Sequence, residues 1–195
     1  MAENIFLKVL RHGRAAHNLG SESEHRFAGS EIDSPLAPEG REFARQLAEE
    51  IAETGGCDLV IATTLARSRE TADIIAQKLG VAVKVIPGFE EINVGDFSDH
   101  TEAEVREKYP ESAQNFYQGD IREWSFPNGE DYAAINQRVD QFVSDLKRDI
   151  APGSHAVLVG HGMINRVLFY KVLPGSGDLW KERTYPHDRI VQLEI

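Results

Sequence analysis

The most informative stretch of this chain is Leu10-Arg-His-Gly-Arg-Ala-Ala-His-Asn18. It follows directly on the apolar run Ile5-Phe-Leu-Lys-Val-Leu10, which is typical of a buried β-strand. In open α/β sheets, ligands bind outside the carboxyl ends of the strands. The stretch therefore predicts that Arg11, His12 and Gly13 lie at the ligand-binding end of the first strand.

A second strand followed by His-Gly occurs late in the chain, where Ala156-Val-Leu-Val-Gly160 leads into His161 and Gly162. A single His-Gly is more often a buried histidine that is hydrogen-bonded in a turn. Two copies at equivalent strand ends make that interpretation much weaker. We therefore predict that the imidazoles of His12 and His161 meet at one edge of a sheet.

Helices and strands alternate along most of the chain. The apolar residues Phe43, Leu47 and Ile51, for example, recur at the spacing of one helix face. The βαβα order predicts an α/β fold, a three-layer α/β/α sandwich with a mostly parallel central sheet. Residues 89–130 interrupt the alternation and are predicted to form a helical insertion over one edge of the sheet. The predicted strands cover 5–10, 59–62, 81–86, 156–160 and 189–195, and the predicted helices cover about 38–54, 66–79, 102–109, 112–118, 132–150 and 163–173.

The composition limits the class of protein. The 195 residues are most simply one domain, 1–195, and the net charge of −11 argues against binding of nucleic acid, which needs a basic surface. No run approaches the ~18 apolar residues that a membrane span needs, and the N-terminus lacks the basic start of a signal peptide. Cys57 is the single cysteine, which fits a reduced, cytoplasmic location. The sequence does not reveal an oligomeric state.

The residues at the strand ends carry complementary chemistry. A neutral imidazole such as that of His12 can attack an electrophile, and the guanidinium of Arg11 beside it can hold a phosphate or carboxylate. Arg67 follows the second strand at the start of a helix, where free backbone amides favour an anion. Alone, Arg67 is more readily interpreted as a surface arginine. Thr63 and Thr64 could cap that helix or donate to a ligand.

Several pieces of the chain, in this order, resemble the histidine phosphatase superfamily of branch 1 type, which has the phosphoglycerate-mutase-like fold. Arg-His-Gly alone is a weak signal, but the full set at these intervals is a strong one. The pieces are Arg11-His-Gly13 with Asn18, Asp33-Ser-Pro-Leu36 with Gly40, Ala62-Thr-Thr-Leu-Ala-Arg67 with Glu70-Thr-Ala72, Phe89-Glu-Glu91 with Gly95, Pro127-Asn-Gly-Glu130 with Arg138, and Val157-Leu-Val-Gly-His-Gly162.

The resemblance implies a role for each matching residue. His12 matches the nucleophile that accepts the phosphoryl group, and Glu91 matches the proton donor and acceptor. Glu90 is the rival of Glu91, although the alignment of Phe89-x-Glu91 favours Glu91. The residues that match the phosphate-binding pocket are Arg11, Gly13, Asn18, Arg67, His161 and Gly162.

Three positions are not explained by the resemblance. Arg14 stands where the family often has glutamate, and His17 stands where it often has tryptophan. These two side chains could widen the positive patch or simply face water. His187 lies in the loop before the last strand and is a candidate substrate contact. We expect His25, His100 and His155 to be exposed loop residues.

The resemblance implies a metal-independent, acid-type phosphatase that needs no cofactor and hydrolyses a phosphorylated small molecule through a phosphohistidine. A cofactor-dependent phosphoglycerate mutase is the first alternative, although the acidic insertion offers few basic residues to hold a second phosphate. A non-catalytic phosphate-binding protein on the same fold is the second. The sequence does not identify the substrate.

Overall fold

The computed structural model describes residues 4–19, 24–173, 187 and 189–195. Within these residues, the structure contains a five-stranded sheet and six α-helices, which makes it an α/β fold. The strands are β1 (Phe6–Arg11), β2 (Leu59–Ala62), β3 (Ala82–Val85), β4 (His155–Gly160) and β5 (Val191–Glu194). The helices are α1 (Pro38–Glu53), α2 (Ala66–Leu79), α3 (Glu102–Lys108), α4 (Pro110–Gln118), α5 (Tyr132–Asp149) and α6 (Gly162–Val172).

The strand order in the sheet is β3-β2-β4-β1-β5. The first four strands are parallel, whereas β5 is antiparallel to β1 at the edge. The predicted mostly parallel sheet is therefore confirmed. In the register of β1 and β4, Arg11 lies opposite Gly160, so that His12 and His161 leave adjacent strands at the same level.

Helices cover both faces of the sheet, which confirms the three-layer architecture. On one face, α1 and α2 bury Leu47, Ile51 and Ile75 against Val60 and Val159. The other face carries α5, α6 and the insertion. Its core includes side chains from all of these segments, among them Phe97, Val105, Trp124, Phe126, Val139, Phe142, Val167 and Phe169.

The insertion is held by aromatic packing. Phe116 contacts Trp124 and Phe126 with ring centroids 5.2 and 5.5 Å apart, and Phe97 contacts Phe126 at 5.4 Å. The guanidinium of Arg166, on α6, lies 4.8 Å above the ring of Trp124 and links the insertion to the main body of the fold. These aromatic side chains form a core rather than the wall of an open groove.

Local signals in the sequence explain where several helices begin and end. Helix α2 ends at Gly80, whose φ of 69° is the left-handed conformation that glycine adopts without strain. Helix α3 begins with the predicted capping box, in which Thr101 and Glu104 bond to each other's backbone amides. Asp131 caps α5 by accepting the amide hydrogen of Ala134 at 2.8 Å. Within the described ranges, no helix has the length and apolarity to cross a bilayer.

Candidate active site

His12 follows β1 and is almost completely buried. Its Nδ1 lies 2.7 Å from the carbonyl oxygen of Gly13, and because a carbonyl only accepts, Nδ1 carries the proton. Burial lowers the pKa of His12 well below its ordinary value, and the neighbouring His161 and Arg11 lower it further. The ring is therefore neutral near pH 7, with a lone pair on Nε2.

His161 follows β4 and is fully buried. Its ring centroid lies 5.1 Å from that of His12, so the two predicted imidazoles do meet at one sheet edge. The Nε2 of His161 lies 2.9 Å from Oγ1 of Thr63, and its buried Nδ1 has no hydrogen-bond partner among the described residues. Burial lowers the pKa of His161 well below its ordinary value, and the charges of Arg67 and Arg11 act in the same direction.

Arg67 lies in the first turn of α2 and is only 1% exposed, so it is not a surface arginine. Its guanidinium donates to the carbonyl oxygens of Gly29 and Ile32, both at 2.8 Å. The Nε atom of Arg67 is buried without a partner within the described residues. Burial lowers the pKa of Arg67, whereas the charges of Glu91 and Asp33 raise it. Arg67 thus fixes the loop over 29–32 and brings a positive charge to the site.

Arg11 is the second cation at the same sheet edge. Burial lowers its pKa to about 10, against the opposing effect of Glu91. A Cβ atom placed on Gly162 would lie 3.4 Å from Cζ of Arg11, so the guanidinium packs over the first residue of α6. The cationic pocket is therefore built from the end of β1, the start of α2 and the start of α6.

Glu91 is buried and its carboxylate rests on the N-terminus of α6. Oε1 accepts the amide hydrogens of Ile92 and Ile164, and Oε2 accepts that of Met163, all at 3.0 Å. A carboxylate at this position complements the positive end of the helix. Met163 and Ile164 directly follow His161 and Gly162 in the chain. These bonds therefore place the carboxylate of Glu91 beside that segment, in the pocket that holds both arginines.

Glu90 has different partners. Its Oε1 accepts from the hydroxyl and the amide of Thr64, at 2.8 and 3.2 Å, and its Oε2 accepts from the amide of Gly88 at 2.8 Å. Burial raises the pKa of Glu90, but the hydrogen bonds from Thr64 and Gly88 outweigh it and the net pKa is lowered. Glu90 thus ties its own turn to the loop after β2.

Asn18 ends a short 3₁₀ turn, Ala16–Asn18, in the loop after β1. Its side-chain oxygen accepts the amide hydrogen of Ala15 at 3.1 Å, and this bond closes the turn. Of the two residues that the resemblance leaves unexplained in this loop, Arg14 is exposed and His17 is half-buried. The Nδ1 of His17 lies 2.5 Å from Oγ of Ser34. Burial lowers the pKa of His17 to about 3, so it adds no positive charge near pH 7.

His187 returns to the site from the loop before β5. Its Nδ1 donates to the carbonyl oxygen of His12 at 2.6 Å, and the two ring centroids are 5.6 Å apart. Burial lowers the pKa of His187 to about 3. His187 therefore contacts His12 itself, which the sequence did not predict.

Gly13 stands where two backbone segments almost touch. A Cβ atom on Gly13 would lie 2.4 Å from the carbonyl oxygen of Gly40 in α1, and its amide donates to Oγ1 of Thr71 at 3.0 Å. Only glycine fits this approach. Thr71 and Thr63 thus support the two His-Gly segments, and nothing in the sequence pattern distinguished the role of Thr71.

The expectation that His25, His100 and His155 are all exposed loop residues is wrong. His25 and His100 are half-buried, and His155 is exposed but begins β4. His100 bonds to Lys108 within the insertion at 2.8 Å. Among the described residues, no group of three or more His, Cys, Asp or Glu side chains is arranged to hold a metal ion.

The sequence model of the histidine phosphatase superfamily (branch 1) matches residues 7–195. This chain is a member of that superfamily. The match begins in β1 and extends through β5, so it includes every element that contributes to the site. The predicted membership is thereby confirmed.

Relatives in this superfamily are enzymes of phosphoryl transfer. An Escherichia coli O1:K1 protein named "Probable phosphoglycerate mutase GpmB" is 29% identical over 90% of this chain and 77% of its own length. A mycobacterial glucosyl-3-phosphoglycerate phosphatase is 25% identical, covers 91% of this chain and 84% of its own, and has a TM-score of 0.74. YhfR from Bacillus stearothermophilus is 26% identical over 91% and 84% of the two chains, with a TM-score of 0.76. Both phosphatases and mutases are thus found among its relatives.

Proposed function

We propose that this chain is a phosphatase that hydrolyses a phosphomonoester of a small molecule through a phosphohistidine on His12. The observation that carries the proposal is the state of His12. Its ring is neutral, its Nδ1–H is fixed on the carbonyl oxygen of Gly13, and Nε2 keeps its lone pair. A neutral, oriented imidazole is the form of histidine that can act as a nucleophile.

In the first step, Nε2 of His12 attacks the phosphorus atom, an N–P bond forms and the P–O bond to the leaving group breaks. Negative charge on the equatorial oxygens is stabilised by preorganised donors, which is the main contribution a protein makes to phosphoryl transfer. Arg11 and Arg67 supply positive charge. A hydroxyl proton donated by Thr63 to Nε2 of His161 leaves the proton of that ring on Nδ1, which is free to donate to the phosphoryl group.

Glu91 serves both halves of the reaction. It protonates the leaving oxygen in the first step, and in the second it takes a proton from the water that attacks the phosphohistidine, so that phosphate leaves and His12 returns to its neutral form. Of the three hydrogen bonds that backbone amides donate to its carboxylate, two end on Oε1 and one ends on Oε2. Oε2 therefore has more room for a further hydrogen bond and is the oxygen that carries the transferred proton.

A mutase reaction needs a bisphosphorylated intermediate to remain bound, and therefore a second cationic site. The insertion over 89–130 contains three basic residues. All three are engaged locally: Arg106 with Glu102 at 2.7 Å, Arg122 with Asp120 at 2.8 Å, and Lys108 with His100. His17 and His187, which both contact the ring of His12, are neutral near pH 7. This distribution of charge favours hydrolysis over the mutase reaction.

The test is turnover of p-nitrophenyl phosphate by wild type, His12→Ala and two matched glutamate variants, with a chelator present throughout. His12→Ala should abolish turnover, and full activity in this variant would refute the nucleophile. Glu91→Gln should lower kcat by about 10²–10⁴-fold, the usual contribution of a general acid or base, whereas Glu90→Gln should have a much smaller effect. Equal effects of the two variants would refute the assignment of Glu91.

The mutase is tested with 3-phosphoglycerate and a trace of 2,3-bisphosphoglycerate. We expect slow release of phosphate or no reaction. Rapid formation of 2-phosphoglycerate without release of phosphate would overturn the proposed hydrolysis. Absence of turnover by wild type on a panel of sugar and nucleotide phosphates would instead favour the non-catalytic phosphate-binding protein.

A further inference from the structure

Glu91 lies in a segment that has neither helical nor strand structure. Residues 86–94, which follow β3 and include the start of the insertion, consist of turns and irregular backbone. A general acid must nevertheless be held within about 0.5 Å of its productive position relative to the oxygen that it protonates. The three hydrogen bonds from backbone amides fix the carboxylate of Glu91, but they do not fix the backbone from which the side chain projects.

A single ion pair outside the pocket fixes that backbone on both sides of Glu91. Arg138, on α5, forms a two-point pair with Glu130, with Nε and one terminal nitrogen each 2.9 Å from a carboxylate oxygen. The other terminal nitrogen of Arg138 donates to the carbonyl oxygens of Gly88 and Glu90, at 3.1 and 2.9 Å. Glu130 in turn accepts the amide hydrogen of Asn93 at 2.7 Å.

The backbone around this pair is packed without spare room. The amide of Glu130 donates to the carbonyl oxygen of Asn93 at 2.9 Å, so the two segments also bond directly. A Cβ atom on Gly129 would lie 2.5 Å from that same carbonyl oxygen, and one on Gly95 would lie 2.1 Å from the carbonyl oxygen of Pro127. Small shifts of 127–130 are therefore transmitted to 93–95 instead of being absorbed.

We propose that Arg138 and Glu130 are positioning residues that hold the segment 88–93 so that Glu91 reaches the leaving oxygen. The pair acts on Glu91 through the backbone. Besides bonding to each other, the two side chains bond to backbone atoms at 88, 90 and 93, and neither bonds to the Glu91 carboxylate. This inference rests on the proposed role of Glu91 in catalysis. The pair would thus affect the reaction by positioning Glu91, without contact with the substrate.

Arg138 also carries a charge that acts on the pocket. It is one of the groups that lower the pKa of His161, after burial, Arg67 and Arg11. The variants must therefore separate position from charge. Arg138→Lys keeps the positive charge but cannot reproduce the planar fork that bonds Glu130 and two carbonyl oxygens at once. Arg138→Gln removes both the charge and the fork.

The first experiment compares these two variants with wild type and with Arg41→Gln as a matched control. Arg41 forms a half-exposed pair with Glu70 at 2.8 Å, between α1 and α2 and away from residues 88–93. We expect Arg138→Lys and Arg138→Gln both to lower kcat about 10- to 100-fold, the effect of displacing a reacting group by about 1 Å, with little change in KM. Arg41→Gln should keep wild-type kinetics. Full rescue by lysine would show that charge, not position, is what Arg138 supplies.

The second experiment is a double-mutant cycle with Glu91→Gln. If Arg138 acts through Glu91, Arg138→Lys should have almost no further effect on kcat once Glu91 is replaced. The loss should also be larger with phenyl phosphate than with p-nitrophenyl phosphate, because p-nitrophenolate leaves more easily without a proton. Thermal unfolding of each variant shows whether it is folded at the assay temperature.

The outcomes separate the inference from the proposed function. An equal loss from Arg138→Lys with and without Glu91 would overturn the positioning role and leave the function standing. A variant of Arg138 that fails to fold is replaced in the cycle by Glu130→Gln, which weakens the same pair from its other side. Wild-type kcat in the single variant Glu91→Gln would instead refute the proposed general acid, whatever the cycle gives.

Discussion

Four histidines, three of them contacting the fourth through their rings, make the folded chain sensitive to acid. They are His12, His17, His161 and His187. Burial lowers the pKa of each, to about 3 for His17 and for His187. In the unfolded chain a histidine has a pKa of about 6.5. Below that pH, the unfolded chain therefore binds protons that the folded chain does not.

The sign and size of the effect follow from proton linkage. Each histidine that stays neutral when folded makes the free energy of unfolding fall by about 1.4 kcal/mol per pH unit as the pH decreases below about 6.5. The two fully buried rings give about 3 kcal/mol per pH unit. His17 and His187 still reach water, so all four give at most about 5.5 kcal/mol per pH unit by the same relation. A domain with a stability of about 5–15 kcal/mol should then unfold within a few pH units below 6.

The measurement is urea unfolding followed by circular dichroism at pH 7, 6, 5.5 and 5. We expect the free energy of unfolding to decrease as the pH decreases, and more steeply at the lower pH values. His187→Gln should reduce that slope by up to about 1.4 kcal/mol per pH unit, the value for one proton. The exposed His155 supplies the control, and His155→Gln should leave the slope as in wild type. A wild-type slope below about 1.4 kcal/mol per pH unit between pH 5 and 6 would mean that at most one ring stays neutral in the folded chain, and would contradict the expected acid sensitivity.

Two substitutions test the supports of the pocket. Thr63→Val keeps the shape of a fully buried side chain but removes the hydroxyl bound to His161, and we expect kcat/KM to fall by about tenfold, the equivalent of one hydrogen bond, in steady-state assays; wild-type kinetics would contradict that role. Gly13→Ala places a Cβ atom 2.4 Å from the carbonyl oxygen of Gly40 and should lower the free energy of unfolding by about 1–3 kcal/mol in urea, whereas an unchanged midpoint would mean that the contact relaxes freely.

Elements with strong local signals were predictable from the sequence. The bounds of β2 and α2 are as predicted, because a short apolar run and a terminal glycine mark them, and α3 begins at its capping box. The last strand is shorter than the predicted 189–195, because only Val191–Glu194 continues the sheet beside β1. The placement of β4 next to β1 depends on pairing between distant segments, which no local pattern encodes.

The candidate site likewise contains residues that the sequence predicted and contacts that it did not. His12 and His161 were predicted to meet because each directly follows a strand, whereas Arg67, which on its own is interpreted as a surface arginine, was assigned to the pocket through the family resemblance. The neutral state of His17 was not predictable, because it depends on burial by a loop. The contact of Thr63 with His161 was not predictable either, since it joins residues 98 positions apart in the sequence. The same is true of the bonds from Arg138 to the carbonyl oxygens of Gly88 and Glu90, which join residues 50 and 48 positions apart.

The adjacency of β1 and β4 has a consequence for how the protein acquires its activity. The side-chain amide of Asn165 donates to the carbonyl oxygen of Leu10 at 3.1 Å, across a sequence separation of 155 residues. Contacts of such range close late in folding, because the entropy of a long loop must be overcome first. A chain that is still being synthesised can form α1 and α2, but β1 then has no strand to pair with and His12 has no contact with His161. The pocket therefore forms together with the centre of the sheet.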